Sequence, residues 1–258
     1  GSCSSSPVRS SPGTRAPRHN SATPAPQPSS STDCPGAAAQ EPKDYLDRAS
    51  FTDCPAQHAT LRAVMDGPAL GRRPDLIEIY SCFPIVPKLA RRELGLSQDA
   101  PMTVAGGLSF FGAPLNNYMG HAATAMVRAL RAGEGQTGLL YGQGGYMTTH
   151  HALVLGTAPS PGSALAEDYQ AKVTRDPVPA LDFPYQGPAT IETFTILYGR
   201  DGTPTHGAVI ARTPHGARTL ARVPPAATAP LADPARSAVG AHGTVGRDDE
   251  GRAEWRFG

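Results

Sequence analysis

The stretch GGLSFFGAPLNNYMGHA, residues 106–122, places a glycine-rich turn directly before a helix. Glycine favours such a turn because it adopts left-handed backbone angles without steric cost. Asn116 and Asn117 are residue types that favour the start of a helix. The helix is predicted to bury one apolar stripe at helical spacing, formed by Tyr118, Ala122, Met126 and Leu130. The turn itself carries no charged side chain.

The segments around this turn alternate between helical and strand patterns. Helical spacing is found in PAQHATLRAVMDGPAL (55–70) and in PKLARREL (87–94). Apolar runs predict strands in DLIEIYSCF (75–83), PMTVAGG (101–107), GLLYG (138–142) and HALVLG (151–156). Such alternation predicts an α/β fold, in which right-handed crossovers place helices over a mixed sheet.

The two ends of the chain differ in composition from this α/β region, which is assigned to residues 44–160. Residues 1–43 consist mainly of Ser, Pro and Ala and are predicted to be disordered, because they bury too little apolar surface to offset chain entropy. A Pro-rich linker, 161–188, precedes short β-type runs: TIETFTILYG (190–199), HGAVIAR (206–212), ARTLARV (217–223) and AEWRFG (253–258). Residues 189–258 are therefore predicted to form a small OB-like β-barrel.

Composition and charge exclude several classes of partner. Only 17% of the 258 residues are charged and the formal net charge is +1, so no basic field attracts nucleic acid. No apolar run reaches the roughly 18 residues that span a bilayer, and no membrane partner is expected. The four cysteines, Cys3, Cys34, Cys54 and Cys82, show neither zinc spacing nor a disulfide framework. We therefore expect a cytoplasmic protein without a bound metal.

Three motifs occur in an order that resembles a known family. DLIEIYSCF is followed by VAGGLSFFGAPLNN and then by GLLYGQGGYMTTHHALVL. Together they resemble the C-terminal half of a thiolase, over roughly residues 50–258. The resemblance is greatest to the thiolase-like proteins of type 1, whose additional C-terminal domain is similar to residues 189–258. It implies a layered α/β fold of which this chain holds one half.

The first motif of the resemblance points to Cys82. Ordinary thiolases have Asn-Glu-Ala-Phe here, and the chain instead has Tyr-Ser-Cys-Phe at residues 80–83. The thiolases related to the sterol carrier protein have His-Asp-Cys-Phe, and in them this cysteine acts as acid or base. The resemblance implies the same role for Cys82. The structural alternative is a small buried residue at the end of a strand.

The other two motifs have lost their reactive side chains. Ala113 stands where Gly-His-Pro has its histidine, and Tyr141 stands where Cys-x-Gly has its cysteine. His121 is the candidate to replace the missing histidine, although a packing role beside the buried stripe is the alternative.

The acyl-CoA site implied by the resemblance consists of Gly106, Gly107, Gly112, Pro114, Asn116, Gly144 and Gly145. Strand alternation sends His150 and His151 to opposite faces, and one of them could line a cavity.

The resemblance implies a protein that binds or processes an acyl-CoA thioester. The thiolase nucleophile belongs to the N-terminal half of the fold, and no residue before Tyr45 resembles that half. We therefore expect weak or no ordinary thiolase activity, with coenzyme A or acyl-CoA as ligand or substrate and no tightly bound cofactor.

Two alternatives remain. One is an acyltransferase of the sterol-carrier-protein-related class that a partner half completes, and the other is a scaffold whose barrel binds a partner. A missing half also predicts association with a partner subunit or with a second copy.

Overall fold

The fold has two β-structures, a five-stranded mixed sheet and a closed five-stranded barrel. The computed structural model describes residues 36–66, 73–158 and 167–258. This mixed α/β architecture, with a barrel at the C-terminal end, is the one predicted. Among the described residues, no helix is long and apolar enough to cross a membrane. Cys3 and Cys34, like most of the predicted disordered segment, lie outside these residues.

The mixed sheet has the strand order β2-β3-β4-β1-β5. Strands β2 and β3 are parallel, whereas β3 and β4 form an antiparallel hairpin and β1 pairs antiparallel with β4. The hairpin corresponds to the predicted strands GLLYG and HALVLG. The strand bounds are β1 Gly36–Gln40, β2 Leu76–Ile79, β3 Thr137–Gly144, β4 Thr149–Gly156 and β5 Glu167–Asp168.

Helices cover both faces of this sheet, and successive side chains of β3 point to opposite faces and contact different helices. Leu139 and Tyr141 belong to a core shared with α1 and α2, whereas Leu140 packs in a second core with α4. The predicted stripe of α4 is confirmed, since Tyr118, Ala122, Met126 and Leu130 are all buried. The helix bounds are α1 Pro55–Met65, α2 Ile85–Glu93, α3 Leu108–Phe111 and α4 Tyr118–Arg131.

Two parts of the sheet differ from the sequence prediction. Residues 101–107 do not form a strand; the Met102 carbonyl accepts the Ile79 N–H at 2.9 Å, but the next amides, of Val104 and Ala105, donate to the Glu78 carboxylate. Conversely, β1 lies in the segment predicted to be disordered. Its run GAAAQ consists mainly of alanine. The small side chains let α1 pack on a strand that pairs with β4, and no large apolar residue marks the strand in the sequence.

The barrel closes in the order β10-β8-β7-β6-β9. Four of its strands were predicted, and β9 was not. Its sequence, HGTVGR, contains few β-formers, but Gly243 faces Trp255, and a Cβ at that position would overlap the indole ring. The bounds are β6 Gly187–Tyr198, β7 Pro204–Arg212, β8 Arg218–Val223, β9 His242–Arg247 and β10 Ala253–Phe257, with the short helix α5 Ala229–Ala232 between β8 and β9.

Candidate functional site

A cavity of about 350 Å³ lies where three loops of the α/β region meet. One loop follows β2, the second precedes α4, and the third is the turn after β3. These are the three segments that carry the motifs. Residues from all three line the cavity, among them Tyr80, Cys82, Leu115, Asn116, Gln143, Gly144 and Gly145.

The sulfur of Cys82 contacts two hydrogen-bonding side chains. The Gln143 amide donates Nε2–H to Sγ, and its Oε1 accepts the Met147 N–H at 3.0 Å, which fixes the direction of the amide. The Tyr80 hydroxyl is the second partner; burial, and then the neighbouring Cys82, raises the pKa of Tyr80. Cys82 therefore lies at the cavity with the Gln143 amide against its sulfur and the Tyr80 hydroxyl beside it.

Buried Glu78 organises the floor of the site. Its carboxylate accepts hydrogen bonds from the Thr103 hydroxyl at 2.8 Å and from the amides of Val104 at 2.8 Å and Ala105 at 2.9 Å. The Tyr118 hydroxyl donates to the other oxygen at 2.6 Å. A buried carboxylate with this many donors is fully satisfied. Glu78 thus ties β2, the 103–105 loop and α4 together beneath the cavity.

Tyr118 is a structural side chain of the site. Its ring stacks on Tyr80, with centroids 5.1 Å apart. Burial, followed by its hydrogen bond to Glu78, raises the pKa of Tyr118 well above its usual range. The hydroxyl therefore stays protonated at neutral pH and acts as a hydrogen-bond donor to Glu78.

His121 lies outside the cavity lining. Its ring stacks on Phe111 with centroids 4.5 Å apart, and its Nε2 is 3.4 Å from the Asn117 amide nitrogen. These contacts fit the packing alternative, since both partners belong to the turn and helix that support the site. A catalytic role for His121 stays a prediction, and the side chain does not line the cavity.

The predicted glycine positions divide into two groups. Gly144 and Gly145 line the cavity with Asn116, whereas Gly106, Gly107, Gly112 and Pro114 belong to the supporting loop and do not line it. Gly107 has φ 70° and comes close to Ser81, the neighbour of Cys82. Gly145 has φ 62°, and a Cβ there would overlap the Thr148 hydroxyl. The turn geometry therefore explains Gly145 without requiring a bound acyl group.

Leu115 has an unusual backbone at the cavity mouth. Its φ is 53°, and its side chain is 86% exposed. Left-handed backbone costs a bulky residue roughly 1–3 kcal/mol, and such residues cluster at binding sites and turns. The conformation keeps this side chain at the entrance of the cavity.

The other described cysteine, Cys54, is in a separate buried cluster. Its sulfur lies 3.3 Å from His150 Nε2, and His150 Nδ1 lies 2.6 Å from the Tyr141 hydroxyl. Burial raises the pKa of Cys54 to about 12 and lowers that of His150 to about 4. Both groups are thus neutral near pH 7, so the pair lacks the thiolate of a reactive cysteine.

This cluster also shows what replaced the third motif. The Tyr141 hydroxyl accepts a hydrogen bond from Gln57 Nε2 at 3.0 Å, and burial raises the pKa of Tyr141. Tyr141 therefore serves the core and not the Cys82 cavity. His150 is buried and His151 is exposed, as strand alternation predicted. No group of three or more metal-ligating side chains occurs within the described ranges.

Two comparisons with known proteins bear on this arrangement. Residues 168–250 match the family described as the thiolase-like protein type 1 additional C-terminal domain. The crystal structure of a monomeric SCP2-thiolase-like protein type 1 from Mycobacterium smegmatis is similar to 86% of this chain, with a TM-score of 0.74 and 28% identity. The resemblance to thiolase-like protein type 1 is confirmed.

The similarity to thiolase-like protein type 1 covers 50% of the relative's chain, so the present chain spans half of that protein's length. No curated protein matches it. Sequence reasoning about this thiolase-like chain missed two side chains of the site, Glu78 and Gln143. Glu78 had a signal, because a lone carboxylate interrupts the apolar strand LIEI. Gln143 had none beyond its place between glycines.

Proposed function

We propose that the chain binds the thioester end of an acyl-CoA in the Cys82 cavity and has weak or no ordinary thiolase activity. The observation that carries this proposal is the convergence of Cys82, Asn116 and Gly144 on one cavity. They come from the three motif segments of the thiolase resemblance. A volume of about 350 Å³ is in the range of small-molecule sites.

The chemistry of the walls supports this ligand class. A thioester has an apolar acyl part, and Leu115 and Met119 offer apolar surface. It also has a carbonyl that needs a hydrogen-bond donor, and Asn116 is an exposed amide at the same cavity. Catalysis of acyl transfer would further require a nucleophile and donors aimed at the developing oxyanion. Ala113 and Tyr141 supply neither at the positions of the thiolase motifs.

An acyltransferase completed by a partner half is the second candidate. The position of the Cys82 sulfur favours it, because the sulfur lies at the cavity with the polar side chains of Gln143 and Tyr80 next to it. In that reaction a cysteine thiolate of the partner half attacks the acetyl-CoA carbonyl carbon, the bond from that carbon to the CoA sulfur breaks, and Cys82 donates the proton that the departing CoA thiolate takes up. Acetyl transfer from acetyl-CoA on adding such a half, lost in Cys82→Ala, would support this candidate.

The direct test of binding is calorimetric titration with acetyl-CoA. Asn116→Trp fills the cavity mouth, and Asn117→Trp is the matched control because Asn117 does not line the cavity. We expect binding to the wild type, a loss of about tenfold or more in Asn116→Trp, equal to roughly 1.4 kcal/mol, and little change in the control. Absence of binding to the wild type, or equal losses in both variants, would contradict the proposal.

A further inference from the structure

A second cavity, of about 520 Å³, lies between the N-terminal ends of α1 and α2. Its walls are mainly apolar and aromatic, with Tyr45, Phe83 and Tyr146 among them. Three cationic side chains also line it: Arg48, Lys88 and Arg175. We propose that this cavity binds an amphipathic carboxylate, with its apolar tail among the aromatic rings and its carboxylate at Lys88 and Arg48.

Among the residues that the structure describes, two of the three cations at the cavity, Arg48 and Lys88, have no acidic partner. Arg175 Nε pairs with Glu41 at 3.1 Å, and Asp53 pairs with Arg92 at 2.9 Å. Lys88 has no ion pair within the described part of the chain. Two acids and three cations line the cavity, and both acids are engaged. The excess of positive charge favours an anionic ligand.

Arg48 is held in place by neutral groups. Its guanidinium donates to the Tyr146 carbonyl at 2.7 Å and to the Pro42 carbonyl at 3.2 Å, and it lies 4.7 Å from the centre of the Tyr45 ring. Neutral carbonyls and an aromatic face orient the cation but do not cancel its charge. Arg48 therefore supplies a fixed positive charge at the cavity.

Glu41 also lines the cavity, but both of its carboxylate oxygens are already bound by protein groups. One oxygen accepts the Ala56 N–H in the first turn of α1 at 2.6 Å, and the other faces Arg175. A carboxylate at a helix N-terminus is stabilised by the free amides there. The base of the cavity is completed by neutral Cys54.

The aromatic rings form the apolar part of the cavity. Tyr146 lies between Tyr45 and Phe83, with ring centroids 6.2 Å and 6.0 Å away. Ile85 and Leu89 add aliphatic surface from α2. A cavity with apolar walls and a few placed polar groups is the usual form of a small-molecule site. Phe83 also lines the Cys82 cavity, so it separates the two.

The barrel holds one wall of this cavity in position. Buried Arg218 of β8 donates to the carbonyls of Leu46 at 3.0 Å and Ala49 at 3.1 Å, and its guanidinium lies 4.6 Å from the Phe51 ring. The Glu192 carboxylate neutralises it at 2.8 Å. Both Arg218 and Arg175 lie in the segment matched by the additional-domain family. The additional domain therefore helps to build the site.

Octanoate and octanol provide a matched pair of probes, since they differ only in the charged head. We expect calorimetric titration to show octanoate binding to the wild type more tightly than octanol. Exposed Lys88 is the side chain to change: Lys88→Glu should weaken octanoate binding by about tenfold. Arg200→Glu introduces the same change in charge on an exposed turn away from the cavity, and it should leave the affinity unchanged within about twofold.

Two further readouts locate the ligand. Ile85→Ser removes apolar wall and should weaken both probes, and saturating octanoate should leave the rate of Cys82 alkylation by iodoacetamide unchanged. The proposal is overturned if the wild type binds no octanoate or if Lys88→Glu binds it as tightly. It is also overturned if octanoate protects Cys82, because the ligand would then occupy the other cavity. None of these outcomes depends on acyl-CoA binding.

Discussion

At the scale of single residues, the two described cysteines, Cys82 and Cys54, have different surroundings. Cys82 is half-buried and faces the Gln143 amide, whereas Cys54 is enclosed with a neutral histidine. Because burial raises the pKa of Cys54 to about 12, only about one molecule in ten thousand carries its thiolate near pH 8. The two thiols therefore differ in exposure and in hydrogen-bond partners.

The role of the Gln143 amide can be tested with Gln143→Glu. The variant keeps the acceptor for the Met147 N–H but places a negative oxygen against the Cys82 sulfur. Like charges at this distance disfavour the thiolate, so alkylation of Cys82 by iodoacetamide should slow by about tenfold. Peptide mass spectrometry measures the rate. Gln136→Glu, on an exposed residue, is the control, and an unchanged rate in Gln143→Glu would refute the role.

At the residue scale, the motif resemblance pointed to Cys82, Asn116, Gly144 and Gly145, which line one cavity, and it did not point to Gln143. Gln143 acts through the direction of one amide, and that direction depends on the Met147 turn, which has φ 58°. The positive φ of Met147 could not be predicted from the sequence, because methionine rarely adopts it.

At the scale of elements, His150 links the β3–β4 hairpin to Cys54 at the start of α1, and the burial of its ring predicts a stability that depends on pH. Burial lowers its pKa to about 4, so the unfolded chain takes up a proton before the folded one does as the pH falls. The neutral imidazole makes its full contribution to the free energy of unfolding above about pH 6.5, and this contribution is lost as the pH falls towards about 4. Cys54 and Tyr141 stay protonated in this window because burial raises the pKa of each.

Chemical denaturation across this pH window tests the linkage. The wild type should lose roughly 3 kcal/mol of unfolding free energy from this group. The free energy of unfolding of His150→Gln should fall much less as the pH is lowered, whatever the absolute stability of this variant. The neighbouring exposed residue gives the control, His151→Gln, which should keep the wild-type slope. Equal slopes in all three proteins would show that His150 does not titrate as described.

The elements that were predicted wrongly share a physical cause. Residues 101–107 have a strand-like composition, but the buried Glu78 competes for their amides. The strands β1 and β9 are rich in Ala or Gly, and they exist because small residues fit against α1 or Trp255. Propensity describes isolated segments, whereas these three depend on tertiary partners.

At the scale of the whole molecule, the segment before α4 exposes large apolar side chains. Leu115 is 86% exposed and Phe110 is 75% exposed. The relative from Mycobacterium smegmatis is described as monomeric, and this chain spans half its length. We propose that the exposed side chains contact a second copy of this chain, because apolar surface of this kind marks interfaces.

Sedimentation velocity over a range of concentrations tests this association. The wild type should show a rising average mass with concentration, and Leu115→Asp should reduce it. Leu197→Asp is the control, since Leu197 is 43% exposed on the barrel and away from the cavity. A wild type that stays monomeric throughout would contradict the proposed self-association.

The central claim is that an acyl-CoA thioester occupies the Cys82 cavity, and protection from alkylation tests it most directly. The chain is treated with iodoacetamide with and without saturating acetyl-CoA, and the modified cysteine peptides are quantified. A bound thioester should slow modification of Cys82 by about tenfold, because it covers the sulfur, while the slow modification of Cys54 stays the same. Equal rates at Cys82 with and without acetyl-CoA would contradict the claim.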